Sequence, residues 1–388
     1  MEPFRGVDLY DIDSLLTDEE KAVRDTVRAF VSDQFVPRIR DLHREGRFPI
    51  DLVPRMGALG LLGANLEGYE CAGLNNVQYG LIQQELERGD SGLRSFASVQ
   101  SGLVMFPIHA FGTDAQKETW LPRLARGEAV GCYGLTEPDH GSNPGGMAMT
   151  ARPAADRWVL NGTKMWITNG SIADVAVVFA RTPDGIQGFL VEKGCEGFTT
   201  QEIRHKWSLR ASVTSELIFQ DCAIPDSQRI PGAKGLRTAL MCLDQARYGI
   251  AWGVVGAAMD CFSEALHYAR SRVQFGRPIA SFQLVQAKLV QMATELTKAQ
   301  LLVLQLGRLK DRGKATPERV SMAKRNNVYQ AREIARMARE ILAANGITDE
   351  YRSGRHMTNL ESVLTYEGTH EMHTLIVGAA ITGHEAYA

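Results

Sequence analysis

Apolar residues in the first third of the chain recur at helical spacing. Thr17 and Glu20 form a capping-box pattern ahead of Val23, Val27, Phe30, Val31 and Phe35, which predicts a helix that Pro37 stops or kinks. A second helical run, Tyr79 to Arg88, is interrupted by Gly89-Asp90-Ser91-Gly92, where Asp90 or Ser91 can cap a new helix carrying Arg94, Ser98 and Leu103. From about residue 131 the period shortens. Arg157 to Leu160 and Lys164 to Thr168 flank Asn161-Gly162, which predicts a hairpin turn. Val175 to Arg181 and Gly188 to Val191 flank Pro183-Asp184-Gly185, and Glu216 to Phe219 adds another strand, so a small sheet or barrel is expected. Long helical periods return after about residue 235, as in Leu284, Lys288, Met292, Leu296, Ala299 and Val303, with Thr316-Pro317 as a helix start. The order is helical, β, helical: an α+β chain with an N-terminal α-helical domain (1–131), a middle β domain (132–235) and a C-terminal α-helical domain (236–388).

Composition excludes more than it identifies. The 388 residues carry 43 basic and 45 acidic side chains, a formal net charge of -2, which argues against a nucleic-acid partner. No run approaches the ~20 apolar residues of a spanning helix. The opening MEPFRGVDLYDIDSLLTDEE is acidic and reads as neither signal nor transit peptide, so a cytoplasmic protein is expected, with no membrane insertion. The six cysteines form no CxxC pair and read as reduced thiols.

Four segments can carry chemistry, although each alone has an ordinary structural reading. Gly131 to Pro144 is rich in glycine and small hydroxyl residues that can offer N–H groups to a phosphate or a flavin edge. Lys164 to Asn169 sets Trp166 beside Thr168, a wall for a planar cofactor. Arg270 to Pro278 holds three arginines suited to a pyrophosphate. In Leu364 to His373, Glu367 can act as a general base if an apolar site raises its pKa. The histidines of His370-Glu-Met-His373 lie three apart rather than four, so no metal site is expected.

Taken together, LTEPDHGS (135–142), WITN (166–169), RVQFGRP (272–278) and TYEGTH (365–370) resemble, in that order, the acyl-CoA dehydrogenase family over nearly the whole chain. Glu87 to Ser95, Ser98 to Ser101 and Ala246 to Gly253 are similar to the members that oxidise glutaryl-CoA. The resemblance implies a middle β-barrel domain, a C-terminal four-helix bundle, a homotetramer, FAD as cofactor and electron-transfer flavoprotein as electron acceptor. Glu367 would be the catalytic base, with its N–H and a flavin ribityl hydroxyl holding the thioester oxygen. Glu87, Arg94, Ser95, Ser98, Ser142, Asp244, Arg247, Tyr366 and Gly368 would bind substrate, with Arg94 clamping the distal carboxylate. Tyr133, Leu135, Thr136, Ser142, Trp166, Ile167, Thr168, Thr369 and Glu371 would touch FAD. Arg272, Phe275, Gln283, Glu340 and Ala344 would reach FAD bound mainly by a neighbouring subunit. Ala343-Ala344 departs from the family's usual Gly-Gly. The implied reaction is oxidative decarboxylation of glutaryl-CoA to crotonyl-CoA and carbon dioxide. A non-decarboxylating or monocarboxylic short-chain dehydrogenase, and a catalytically silent CoA-ester-binding scaffold, remain alternatives.

Overall fold

The computed structural model describes residues 4–386. The capping box at Thr17 is formed: its hydroxyl accepts from the Glu20 N–H at 3.3 Å, and the Glu20 carboxylate accepts from the Thr17 N–H at 2.9 Å. Such a cap stabilises a helix by about 1 kcal/mol and starts α1 (Asp18–Phe30). Pro37 does not stop the helical run. A π-helical stretch over Val31–Phe35 loosens the ladder, and Pro37 falls in the first turn of α2 (Val36–Glu45), where a missing N–H is tolerated. After α3 (Val53–Ala58) come α4 (Asn76–Gly89) and α5 (Ser91–Ser98), joined at Asp90, whose carboxylate accepts from the Gly92 N–H at 2.7 Å. A second π-helical stretch, Val99–Met105, leads into α6 (Phe106–Phe111) and then α7 (Asp114–Ala125).

The middle of the chain forms β1 (Gly131–Gly134), β2 (Thr150–Ala154), β3 (Arg157–Thr168), β4 (Val175–Thr182), β5 (Gly185–Glu192), β6 (Phe198–Glu202), β7 (Thr214–Pro225) and β8 (Arg229–Lys234). They build one eight-stranded sheet in the order β6-β7-β3-β2-β4-β5-β8, with β1 parallel to β4. At the two ends of this strand path, β6 and β8 do not pair with each other among the described residues.

The hairpin expected at Asn161-Gly162 is corrected. Both flanking segments belong to the single strand β3, and the β2–β3 turn lies at Ala155-Asp156. Asn161-Gly162 is instead a bulge against β7, where the Asn161 amide accepts from the Asp221 N–H at 2.8 Å and donates to its carboxylate at 3.0 Å. Gly162 has φ +140° and a Cβ there would lie 2.8 Å from Met149, so glycine answers a close approach, not a turn. The turn at Pro183-Asp184 is present as expected.

The last part consists of α8 (Gly235–Ser271), a two-stranded hairpin of β9 (Val273–Gln274) and β10 (Arg277–Pro278), then α9 (Gln283–Asp311), α10 (Pro317–Ile341), α11 (Ser353–Thr365) and α12 (His370–Thr382). Helix α8 spans 37 residues, about 55 Å, and its central run from Ala246 to Phe262 is buried between α4 and α10. Small residues allow that contact: a Cβ at Gly256 would fall 1.8 Å from the Gln84 carbonyl oxygen. No helix among the described residues is long and apolar enough to cross a membrane.

Candidate active site

Two loops meet at the junction of α5, α8, α10 and α11. The first begins with Asp90, which caps α5 with one carboxylate oxygen. The other oxygen accepts from Arg355 at 3.0 Å and Asn359 at 2.9 Å, both on α11. The start of α5 is thus fixed to the helix whose end carries Tyr366 and Glu367. One turn on, Arg94 lies at 2% exposure and donates through Nε to Glu87 Oε2 at 2.6 Å and through Nη2 to the Tyr366 hydroxyl. Glu87 Oε1 accepts from the Ser91 hydroxyl at 2.8 Å, and Ser95 Oγ lies 3.3 Å from the Tyr366 hydroxyl. Arg94 Nη1 has no protein partner among the described residues. Ser98 is buried one turn beyond Arg94, on the same face. Burial pushes the Tyr366 hydroxyl up to about 12, so it stays a neutral hydroxyl that accepts from Arg94.

The second loop follows α11. Glu367 takes φ +56° and Gly368 φ +92°, two successive left-handed residues. The Glu367 carbonyl accepts from Arg247 Nε at 2.8 Å, and Lys324 Nζ donates to the carbonyls of Tyr366 and Gly368, the latter at 2.6 Å. Glu367 as a residue is half-buried, yet its Oε2 is shielded from solvent and has no hydrogen-bond partner. Burial raises its pKa above the ordinary glutamate value, against the opposing charges of Arg247, Lys324 and Arg94. Arg247 also donates to Asp244 at 3.2 Å. Gly368 leaves little room for a side chain, since at its φ of +92° a Cβ would sit 3.0 Å from the His373 ring. Thr369 caps α12 by accepting from the Met372 N–H, and Glu371 is exposed in its first turn.

The sheet supplies a wall beside these loops. Thr136 and Trp166 are joined through the Met165 N–H, which donates to the Thr136 carbonyl at 2.9 Å. Tyr133 and Leu135 are buried behind, and the Tyr133 hydroxyl donates to the Ala239 carbonyl of α8 at 3.1 Å. Ile167 is buried, Thr168 half-buried, Ser142 exposed. Trp166 is 61% exposed at φ +64°, an apolar plane turned outward beside a hydroxyl, which fits the face of a flavin ring better than a core position. Glu137, in the same segment, is structural: it accepts from Lys164 at 2.8 Å and from the N–H groups of Ala148 and Met149.

Not every expected site residue is gathered here. Arg272 lies 25 residues along α8 from Arg247, about 38 Å, and it, Phe275 and Gln283 are exposed at the far end of the molecule. Glu340, paired with Lys288 at 2.6 Å, and Ala344 sit at the far end of α10, about 24 Å from Lys324. Three residues at the site have no role assigned to them from the sequence. Lys324 is a lone basic residue in an amphipathic helix, Gly253 makes room for the Glu87–Arg94 pair, and His373 is buried against Gly368. Gly253 closes the segment Ala246 to Gly253 that carries the resemblance, but a glycine inside a helical period does not by itself say which side chains it makes room for.

Family models match three consecutive segments: acyl-CoA dehydrogenase, N-terminal domain, over residues 17–128; middle domain, over 132–222; and C-terminal domain, over 233–382. The crystal structure of a glutaryl-CoA dehydrogenase from Mycobacterium smegmatis is 56% identical to this chain, covers 97% of it and 98% of its own length, and superposes with a TM-score of 0.96. A glutaryl-CoA dehydrogenase from the same organism in complex with FADH2 is 51% identical, with 98% and 99% coverage and a TM-score of 0.98. The short-chain specific acyl-CoA dehydrogenase of Bos taurus mitochondria is 37% identical over 373 residues, 93% of this chain and 90% of its own.

Proposed function

The chain belongs to the acyl-CoA dehydrogenase family, and from that premise we propose that it converts glutaryl-CoA to crotonyl-CoA and carbon dioxide. The observation that carries the substrate is Arg94, a buried guanidinium held by Glu87 and Tyr366 on the loop next to Glu367. A monocarboxylic acyl chain gives such a cation nothing to pair with, whereas a distal carboxylate can take the free Nη1. FAD is the cofactor; Tyr133, Leu135, Thr136, Ser142, Trp166, Ile167, Thr168, Thr369 and Glu371 would hold it, and when bound it would supply the acceptor for the β-hydride.

The protein's own groups do the rest. Glu367 takes the α-proton through its unpartnered Oε2, and its raised pKa brings a carboxylate closer to the strength such a proton requires. The Glu367 N–H holds the thioester oxygen, while Arg247 and Lys324 keep the loop still. The product, glutaconyl-CoA, is a vinylogous acid whose carboxylate leaves as carbon dioxide. Glu87 stays paired with Arg94 throughout, so no unpaired buried cation remains once the distal carboxylate has gone. The dienolate is reprotonated by Glu367 in its acid form. Asp244, Arg247 and Gly368 face the acyl-CoA.

Electrons pass to electron-transfer flavoprotein in this reading. The separation of Arg272, Phe275, Gln283, Glu340 and Ala344 from Glu367 supports FAD sites shared between subunits of a homotetramer, as does the 92% exposure of Phe275. The short-chain relatives favour a second reading, oxidation of a monocarboxylic ester such as butyryl-CoA. One assay tests both: pure protein with glutaryl-CoA or butyryl-CoA, following flavin bleaching and trapped carbon dioxide. Preference for butyryl-CoA, or bleaching by glutaryl-CoA without carbon dioxide, overturns the proposal.

A further inference from the structure

Lys324 is 1% exposed on α10, and burial pulls its pKa well below the ordinary lysine value. A buried ammonium persists only where acceptors and opposite charge replace water. Its acceptors are the carbonyls of Tyr366 and Gly368, the residues on either side of Glu367, and the Tyr366 ring lies 5.8 Å from the nitrogen. The opposite charge is Glu367 itself. Two carbonyls separated by one residue converge on a single donor only because the chain between them turns through the left-handed region, which disfavours a side chain as large as glutamate.

We propose that Lys324 is a positioning residue for the base: its one ammonium group straps the carbonyls on both sides of Glu367, fixes the left-handed turn that aims the carboxylate, and keeps a positive charge beside it. The inference rests on the reading of Glu367 as the base. The other groups facing Glu367 are Arg94 from α5, Arg247 and Cys242 from α8, Tyr133 from β1 and His373 from α12. His373 is held neutral by burial, so the nearby positive charge comes from the two arginines and Lys324. Burial alone favours the protonated acid, and the cations favour the carboxylate. A base that must take a proton and then return it needs these opposing influences near balance. Removing the Lys324 charge tips the balance toward the acid form, so the base form is reached only at higher pH.

The test uses the FAD-loaded protein and three substitutions. Lys324→Met removes donor and charge, Lys324→Gln keeps N–H donors without charge, and Lys324→Arg keeps both. Flavin reduction is followed by anaerobic stopped-flow with glutaryl-CoA and with butyryl-CoA between about pH 5.5 and 9. Lys324→Met and Lys324→Gln should both move the acid limb of the rate upward by about one unit, which slows reduction by about tenfold on the acid side of the limb and progressively less above it. FAD content and the dissociation constant of an unreactive CoA ester should change by less than about threefold. Lys324→Arg should leave the limb near its original position. An unmoved limb in Lys324→Gln, with rate loss that follows thermal stability alone, makes Lys324 a structural strut and overturns the proposal. If Lys324→Met does not fold, the Gln and Arg variants still decide. Failure of the wild-type protein to bleach with either ester would instead overturn the dehydrogenase reading.

Discussion

Gly253 on α8 and Glu87 on α4 face each other so closely that a Cβ at 253 would fall 2.1 Å from Glu87 Oε2 and 3.1 Å from the aliphatic carbons of Arg94. The absent side chain gives the buried ion pair its room within a helix–helix contact. Gly253→Ala improves helix propensity by about 1 kcal/mol, so any loss comes from the displaced pair. Overpacking of this kind costs about 1 to 3 kcal/mol. The variant should lower kcat/KM for glutaryl-CoA by about tenfold, with a smaller loss for butyryl-CoA. A raised Tm with an unchanged substrate ratio would show that Glu87 steps aside freely.

Glu367→Gln keeps the shape of the side chain and loses its basicity. It should retain FAD and bind CoA esters, while substrate-dependent bleaching slows by about a hundredfold to ten-thousandfold. In the wild type, burial holds the carboxyl above the ordinary value of 4.5. The reacting form is the carboxylate, so kcat/KM should rise with pH along a limb displaced above that value and vanish in Glu367→Gln. A limb that survives the substitution would belong to another group.

The helical, β, helical order was legible because period, caps and turn residues agree along most of the chain. Thr17 with Glu20, Asp90 and Thr316-Pro317 start helices at the places their chemistry dictates. Asn161-Gly162 misleads because a local dipeptide cannot report that Asp221, sixty residues away, turns it into a bulge. The same limit applies to the site. Glu367 and Arg94 stand in motifs, whereas Lys324 matters only through carbonyls 42 and 44 residues away, contacts that no local pattern encodes.

Arg272 marks the far end of α8, exposed and away from Glu367. On the shared-site reading its guanidinium pairs with phosphate across an interface. Arg272→Ala should weaken FAD retention and assembly together, since a ligand bound only by the assembled form stabilises that form. Gel filtration and the visible flavin spectrum after dialysis check this. A tetramer with full FAD would show that the residue plays no such part.

Ala343 has φ +52°, where an L side chain meets its own backbone. That conformation costs about 1 to 2 kcal/mol, against about 0.5 to 1 kcal/mol of extra chain entropy for glycine. Ala343→Gly should therefore stabilise the protein by about 0.5 to 1 kcal/mol, a Tm rise of about 0.5 to 1 °C. A fall in Tm would mean that the Ala343 methyl group makes a contact worth more than the strain.

The decisive substitution is Arg94→Ala. Glu87 is fully buried, so removing its partner strands a carboxylate, and the distal carboxylate of glutaryl-CoA loses the fork that receives it. Truncating a buried charge-assisted pair costs about 2 to 5 kcal/mol, roughly thirtyfold to several thousandfold in kcat/KM. Butyryl-CoA carries no distal charge and should lose far less, so the ratio of the two efficiencies separates recognition from general damage. Arg94→Lys should restore only part of the ratio, because an ammonium offers a point charge where Glu87, Tyr366 and the substrate share three edges of a plane. The ratio measured for wild type and both variants carries the argument. If it does not change, Arg94 braces α5 against Tyr366 and the substrate is a different acyl chain.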